Sequence, residues 1–182
     1  MSSPIDVDVR RSGRRFDAEA ILDLPATART VWDTITDYPA LPRFMPGIRK
    51  CEVLERSAAS RDVEHLVVQQ TGEFRFLLFA QDMTVLLNIT QQKLRVAEAK
   101  AVSFELGLLK RAAIDVFEGR YELLPAPKGR ASPRVQLRYT AVIGLKLPPP
   151  PGIGAMAVRQ NLTAQLEAVA SEVIRREDHG KR

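Results

Sequence analysis

Gly152-Ile-Gly-Ala-Met-Ala-Val-Arg-Gln-Asn-Leu-Thr-Ala-Gln-Leu-Glu-Ala-Val-Ala-Ser-Glu-Val-Ile-Arg-Arg-Glu177 is the stretch on which the fold turns. Val158, Leu162, Leu166, Val169 and Val173 recur at intervals of three and four residues, which places them in one apolar stripe along a helix. Arg159, Glu167, Glu172, Arg175 and Arg176 fall largely off that stripe, and Ala155, Ala157, Ala164, Ala168 and Ala170 add helix propensity without bulk. Prolines at 148–151 cannot continue a strand and donate no backbone hydrogen bond, so the chain turns just before the helix. At about 1.5 Å per residue the helix is roughly 35 Å long. A stripe of that length needs a broad apolar surface to lie against.

The upstream residues supply one. Residues 15–24 alternate, with Phe16, Ala18, Ala20, Leu22 and Leu24 on one face and Asp17, Glu19 and Asp23 on the other, the pattern of a half-buried strand. Pro25 ends it, and Thr27 is suited to cap a short helix over 28–36 whose inner side is Val31, Trp32 and Ile35. Pro39, Pro42 and Pro46 then restrict the chain to one short helical turn between 38 and 44. From Ile48 onward the pattern is β, with strands expected near 48–57, 61–71, 73–90, 93–101, 111–124 and 134–146. In the fifth of these Phe117, Tyr121 and Leu123 oppose Glu118, Arg120 and Glu122. In the last, Val135, Leu137, Tyr139, Ala141, Ile143 and Leu145 oppose Arg134, Gln136 and Arg138. One apolar and one polar face imply an antiparallel sheet, and a single long helix is available to cover it.

Composition bounds the function. The chain has 182 residues, 45% hydrophobic and 27% charged, which is the profile of a soluble globular protein. One domain of this size buries about 70% of its unfolded surface without covalent staples. Cys51 is the only cysteine, so no internal disulfide forms and a reducing, cytoplasmic setting is expected. No run reaches the ~18 apolar residues of a membrane-spanning helix. A net charge of +5 permits contact with anionic surfaces. The cations concentrate at Arg10, Arg11, Arg14 and Arg15 and at Arg175, Arg176, Lys181 and Arg182. Residues 1–13 read as a flexible arm, 14–178 as the domain and 179–182 as a tail.

Two segments carry a family resemblance. Ala28-Arg-Thr-Val-Trp-Asp-Thr-Ile-Thr-Asp-Tyr-Pro-Ala-Leu-Pro-Arg-Phe-Met-Pro-Gly47 resembles the opening of START-like proteins of the polyketide cyclase/dehydrase and coenzyme Q-binding group. The matching features are Trp32 in the first helix, Asp37 at its end, Tyr38-Pro39, and Phe44-Met45-Pro46. Phe117-Glu-Gly-Arg-Tyr-Glu-Leu-Leu-Pro125 is similar to the group's penultimate strand, and the resemblance covers roughly residues 15–177. It implies an α+β helix-grip fold: a seven-stranded curved antiparallel sheet wrapped around the long C-terminal helix, with two short helices after the first strand. It also implies a cavity between helix and sheet, used in the family for an isoprenoid quinone, a sterol, a lipid, a plant hormone or a polyketide. Trp32, Phe44, Phe76, Leu87, Phe117, Tyr121, Tyr139, Met156, Leu162 and Leu166 are the side chains expected to line it. No cofactor is implied.

For chemistry the candidates are few. His65, His179 and Cys51 have no spacing that makes a metal site. His65 is the only base available to a triad, no nucleophile-elbow sequence accompanies it, and it shares parity with Val63 and Val67. Gly152-Ile-Gly-Ala lacks the third glycine of a nucleotide fingerprint. Asp115 shares parity with Phe117 and Tyr121; it is either a cavity acid, with Tyr121 or Tyr139 hydrogen-bonding the substrate, or a solvated residue at the start of its strand. Phe74, Phe76 and Phe79 beside Arg75 are either core side chains or a stacking platform for single-stranded nucleic acid. Residues 103–110 are either a lip at the cavity mouth or part of the core. The leading functional expectation is a non-catalytic binding or transfer module for a hydrophobic small molecule. A polyketide-type cyclase or dehydratase is the second. The third is a ribosome-associated interaction protein, since bacterial relatives in the coenzyme Q-binding group are described as ribosome-associated toxins. Transient membrane or ribosome contact is compatible with the charge; specific DNA binding is not expected, and oligomeric state is not legible.

Overall fold

The computed structural model describes residues 5–76, 79–106, 114–125 and 134–180. In chain order the elements are β1 (Val7–Ser12), β2 (Arg15–Leu24), α1 (Ala28–Ile35), a 3-10 turn (Tyr38–Arg43), β3 (Ile48–Ala58), β4 (Val63–Phe76), β5 (Phe79–Gln92), β6 (Val96–Leu106), β7 (Ile114–Leu124), β8 (Val135–Leu145) and α2 (Ile153–Gly180). The strands form one curved antiparallel sheet in the order β1-β2-β8-β7-β6-β5-β4-β3, with α2 against its concave face. This is the expected α+β helix-grip arrangement, with eight strands where seven were expected.

The additional strand is β1, inside the segment expected as an arm. Val7 and Val9 give only two apolar positions among charged neighbours, too little alternation to read as a strand alone. Pairing supplies the rest: Val7–Ser12 zips along β2 from Ala20 to Arg15, and Val7 is fully buried. The basic cluster beside it is largely engaged. Arg10 pairs with Asp8 and Arg15 with Asp17, while the Arg11 guanidinium donates to the carbonyls of Pro149 and Pro150 and lies over the Phe16 ring. Arg14 donates to the Lys146 carbonyl, so these two arginines clamp the proline-rich turn onto the β1–β2 hairpin. At the other end α2 runs on through His179, the first residue of the expected tail, whose Nδ1 meets the Arg175 carbonyl at 2.7 Å.

A second difference concerns β4 and β5. The expected turn near Gly72 does not occur there; β4 continues to Phe76. Gly72 serves a different need. A Cβ at this position would run into the carbonyl oxygen of Gly47, which comes in to accept the Glu73 amide at 2.8 Å. The glycine thus allows the loop before β3 to close against the middle of β4.

The α2 stripe is placed as its spacing requires: Val158, Leu162, Leu166, Val169 and Val173 are all buried. They join β2, β8, β7 and α1 in one core. A second core gathers Tyr38, Leu41, Cys51, Leu66, Val68, Leu87 and Ile89 between the 3-10 turn and β3–β5. Phe44, Met45 and Phe117 pack against both. Eight strands at about 4.8 Å spacing make a sheet several times wider than one helix of ~10 Å diameter. One helix cannot lie close to every strand: α2 packs chiefly against β1 and β2 and meets β4 across the curve of the sheet, which leaves room beneath it over the strands between.

Candidate functional site

The space beneath α2 is a cavity of about 230 Å³. Its walls come from Tyr38, Leu41 and Met45 on one side, Val85, Leu87 and Ile89 on β5, Ala97, Ala99 and Phe104 on β6, Phe117, Gly119 and Tyr121 on β7, and Tyr139 and Ile143 on β8. From α2 it receives Ala157, Val158, Asn161, Leu162, Gln165 and Val169. The lining is mostly apolar with a few amides and phenols, the composition that suits a ligand bound by burial and oriented by a small number of hydrogen bonds.

All three tyrosines of the chain line this space. Tyr121 and Tyr139 are cross-strand partners on β7 and β8, ring centroids 4.8 Å apart at 44°. Burial and then the neighbouring phenols of Tyr139 and Tyr38 push the Tyr121 hydroxyl well above the usual tyrosine range, and burial does the same for Tyr139. Tyr38 is raised chiefly by burial too; its hydroxyl donates to Gln91 Oε1 at 3.0 Å, and Gln91 Nε2 donates to Glu64 at 2.7 Å. On α2, Gln165 Nε2 donates to Asn161 Oδ1 at 3.3 Å. Of the carboxylates at the cavity wall, Glu98 is exposed and paired with Arg120, and Glu73 is half-buried beside Gly47. Burial pushes the Cys51 thiol up to about 11, so it stays protonated.

The side chains expected at the site divide into three groups. Leu87, Phe117, Tyr121, Tyr139 and Leu162 line the cavity. Trp32 and Leu166 are buried in the first core, Phe44 packs between the two cores, and Met156 is exposed. The Phe76 side chain, with those of Phe74 and Phe79, lies outside the described residues, as do residues 107–110 of the expected lip. Asp115 is exposed and away from the cavity wall: a bulge between Ile114 and Val116 breaks the parity, so that Ile114 and Phe117 face inward with Asp115 outside. His65 is exposed on the outer face, its Nδ1 3.0 Å from Thr90 Oγ1. Among the described residues no group of histidines, cysteines and carboxylates is arranged to hold a metal ion, and no helix is long and apolar enough to cross a membrane. Asn161 and Gln165 were missed. Their signal was a polar i, i+4 pair flanking the apolar stripe.

The motif residues Asp37 and Phe44 have an architectural role. Arg176 of α2 donates to Asp37 Oδ2 at 3.0 Å and to the Asp33 carbonyl, pairs with Glu172 at 2.7 Å, and lies over the Phe44 ring at 5.9 Å. At the next residue, the buried Glu177 carboxylate accepts from the Thr27 amide at 3.1 Å and the Thr30 hydroxyl at 2.6 Å, at the α1 N-terminus. Hydrogen bonds from Arg175 and Arg176 hold the Glu172 carboxyl down to about 2. Because its folded pKa is depressed, Glu172 contributes stability that is complete above about pH 4.5 and lost as pH falls toward 2. Arg176→Met removes the shared cation from Glu172 and Asp37, and we expect a loss of about 2 kcal/mol by urea denaturation at pH 7.

A curved antiparallel sheet gripping a long C-terminal helix, with an apolar cavity between them, defines a START-like helix-grip protein. Residues 24–170 match the family model described as "Polyketide cyclase / dehydrase and lipid transport", and the chain belongs to that family. Similar solved structures include a START superfamily protein from Mycobacterium smegmatis, at 18% identity and TM-score 0.65, covering 90% of this chain and 97% of that one. The Zhui aromatase/cyclase from Streptomyces sp. R1128 has 18% identity and TM-score 0.64, with 89% and 95% coverage. A STAR-related lipid transfer protein from Xanthomonas axonopodis has 17% identity and TM-score 0.66, with 95% of each chain covered. At these identities the likeness is one of fold. None of the curated proteins matches the sequence.

Proposed function

We propose that this protein binds a largely apolar small molecule, of the lipid, isoprenoid-quinone or polyketide-like class, beneath α2, and that it carries the molecule without transforming it. The observation that carries this reading is the cavity lining. Aliphatic and aromatic side chains dominate it, its interior polar groups are phenols and amides, and burial keeps the phenols protonated. Apolar surface transferred from water to such a wall gains about 25 cal/mol per Å². A protonated phenol donates a hydrogen bond well and is a poor base at neutral pH.

The cyclase reading has one observation in its favour: Tyr121 and Tyr139 are placed to polarise a substrate oxygen, as an aromatase/cyclase of the same fold requires of some residue. Its proposed acid, Asp115, lies outside the cavity, so Tyr121→Phe becomes the discriminating variant. Native mass spectrometry of the purified protein, followed by solvent extraction, tests the leading reading. A co-purifying lipid-like mass released on denaturation is the expected result. No bound molecule, together with no binding from a panel of quinones, fatty acids and phospholipids, overturns it.

A further inference from the structure

Within that cavity-binding reading, we infer that Tyr121 and Tyr139 form a paired hydrogen-bond donor that selects a neutral ligand bearing a ketone-type carbonyl, which enters oxygen first. The two side chains share one face because their strands pair them directly, and the Tyr139 hydroxyl lies over Gly119, 3.7 Å from where a Cβ would stand. Gly119 leaves that patch of the β7 wall bare, and the Phe117 ring, at 3.3 Å, and the Tyr139 phenol share it. Among the described residues neither hydroxyl has a hydrogen-bond partner, although Tyr139 is 4% exposed. Buried tyrosine hydroxyls ordinarily find one. The third phenol is already committed. Glu64 accepts from the Gln91 amide nitrogen, which turns the Gln91 oxygen to Tyr38 and takes the Tyr38 proton.

The chemistry of the wall narrows the ligand's polar group. Among the described residues no lysine or arginine lines the cavity, so a carboxylate would find no counter-charge from them. Two neutral donors on adjacent strands suit the two lone pairs of one carbonyl oxygen. The apolar remainder of the ligand then lies along Leu87, Phe117 and Leu162.

The test uses two fluorescent probes of nearly equal shape, 2-acetylnaphthalene and 2-isopropenylnaphthalene, which differ by C=O against C=CH2. Titrated into the full-length protein, the ketone is expected to bind about tenfold more tightly than the hydrocarbon. In the double variant Tyr121→Phe, Tyr139→Phe the two affinities are expected to converge, with the hydrocarbon within about twofold of its wild-type value because only oxygens are removed. Equal affinities in the wild type, or a ketone preference that survives in the double variant, overturn the donor pair while leaving the cavity reading intact. Tighter binding of 2-naphthoate than of the ketone overturns the assignment of a neutral group. Failure of both naphthalenes to bind the wild type overturns this inference, while the binding reading stands or falls on the extraction and the ligand panel.

Discussion

Ala157→Phe is expected to abolish small-molecule binding and leave the fold in place. Ala157 is half-buried, lies on the α2 face that meets the cavity, and sits one residue before Val158 of the buried stripe. A phenyl ring grown from its Cβ enters existing empty space of about 230 Å³, so the substitution adds contacts without forcing neighbours apart. Affinity for any cavity probe should fall at least about 100-fold, equivalent to about 2.7 kcal/mol. The melting temperature should hold or rise, because lining atoms that now lack a partner gain one. Probe titration and thermal unfolding on the same preparation decide the matter. Undiminished binding in a well-folded variant would place the ligand site elsewhere.

Leu166→Ala should have the opposite profile. Leu166 is 1% exposed at the centre of the α2 stripe, with packed side chains around it, and truncation there should cost about 3–5 kcal/mol in urea denaturation. Leu162, one turn earlier, belongs to the same stripe but also borders the cavity. Truncating it enlarges a space that already exists, so Leu162→Ala should cost about 2 kcal/mol, at the low end of such substitutions. It should change probe affinity, which Leu166→Ala should not. Equal costs at the two positions would mean that the cavity beside Leu162 collapses in solution.

Much of the architecture was legible because it rests on local regularities. A period of three to four residues marked the α2 stripe, and a period of two marked β2 and β8, with the inward residues in each case the buried ones. Proline positions bracketed α1 and the 3-10 turn correctly. The misreadings each involve a non-local partner. Val7–Ser12 is a strand because β2 offers an edge to pair with, and Gly72 interrupts no strand because it faces the Gly47 loop; of the two places open to Asp115, the bulge of β7 against β8 selects the solvated one.

The site follows the same division. Its aromatic and aliphatic components were readable as inward-facing residues, yet Trp32 and Leu166 pack as core while Tyr121, Tyr139 and Leu162 border open space. Periodicity gives the direction of a side chain and nothing about how far away the opposite wall stands. That distance depends on where α2 is seated, and its seat is set by contacts remote in sequence, among them Arg176 with Asp37 and Glu177 with Thr27 and Thr30. The sequence by itself determined the elements, their order and their apolar faces, because these depend on neighbours within a few residues. Only the tertiary structure decided that the long helix packs on β1 and β2, meets β4 and leaves a cavity beneath itself over the strands between, and that tyrosines at 38, 121 and 139 meet there. One rigid helix cannot pack closely on all eight strands, and the cavity lies beneath it where that close contact is lacking.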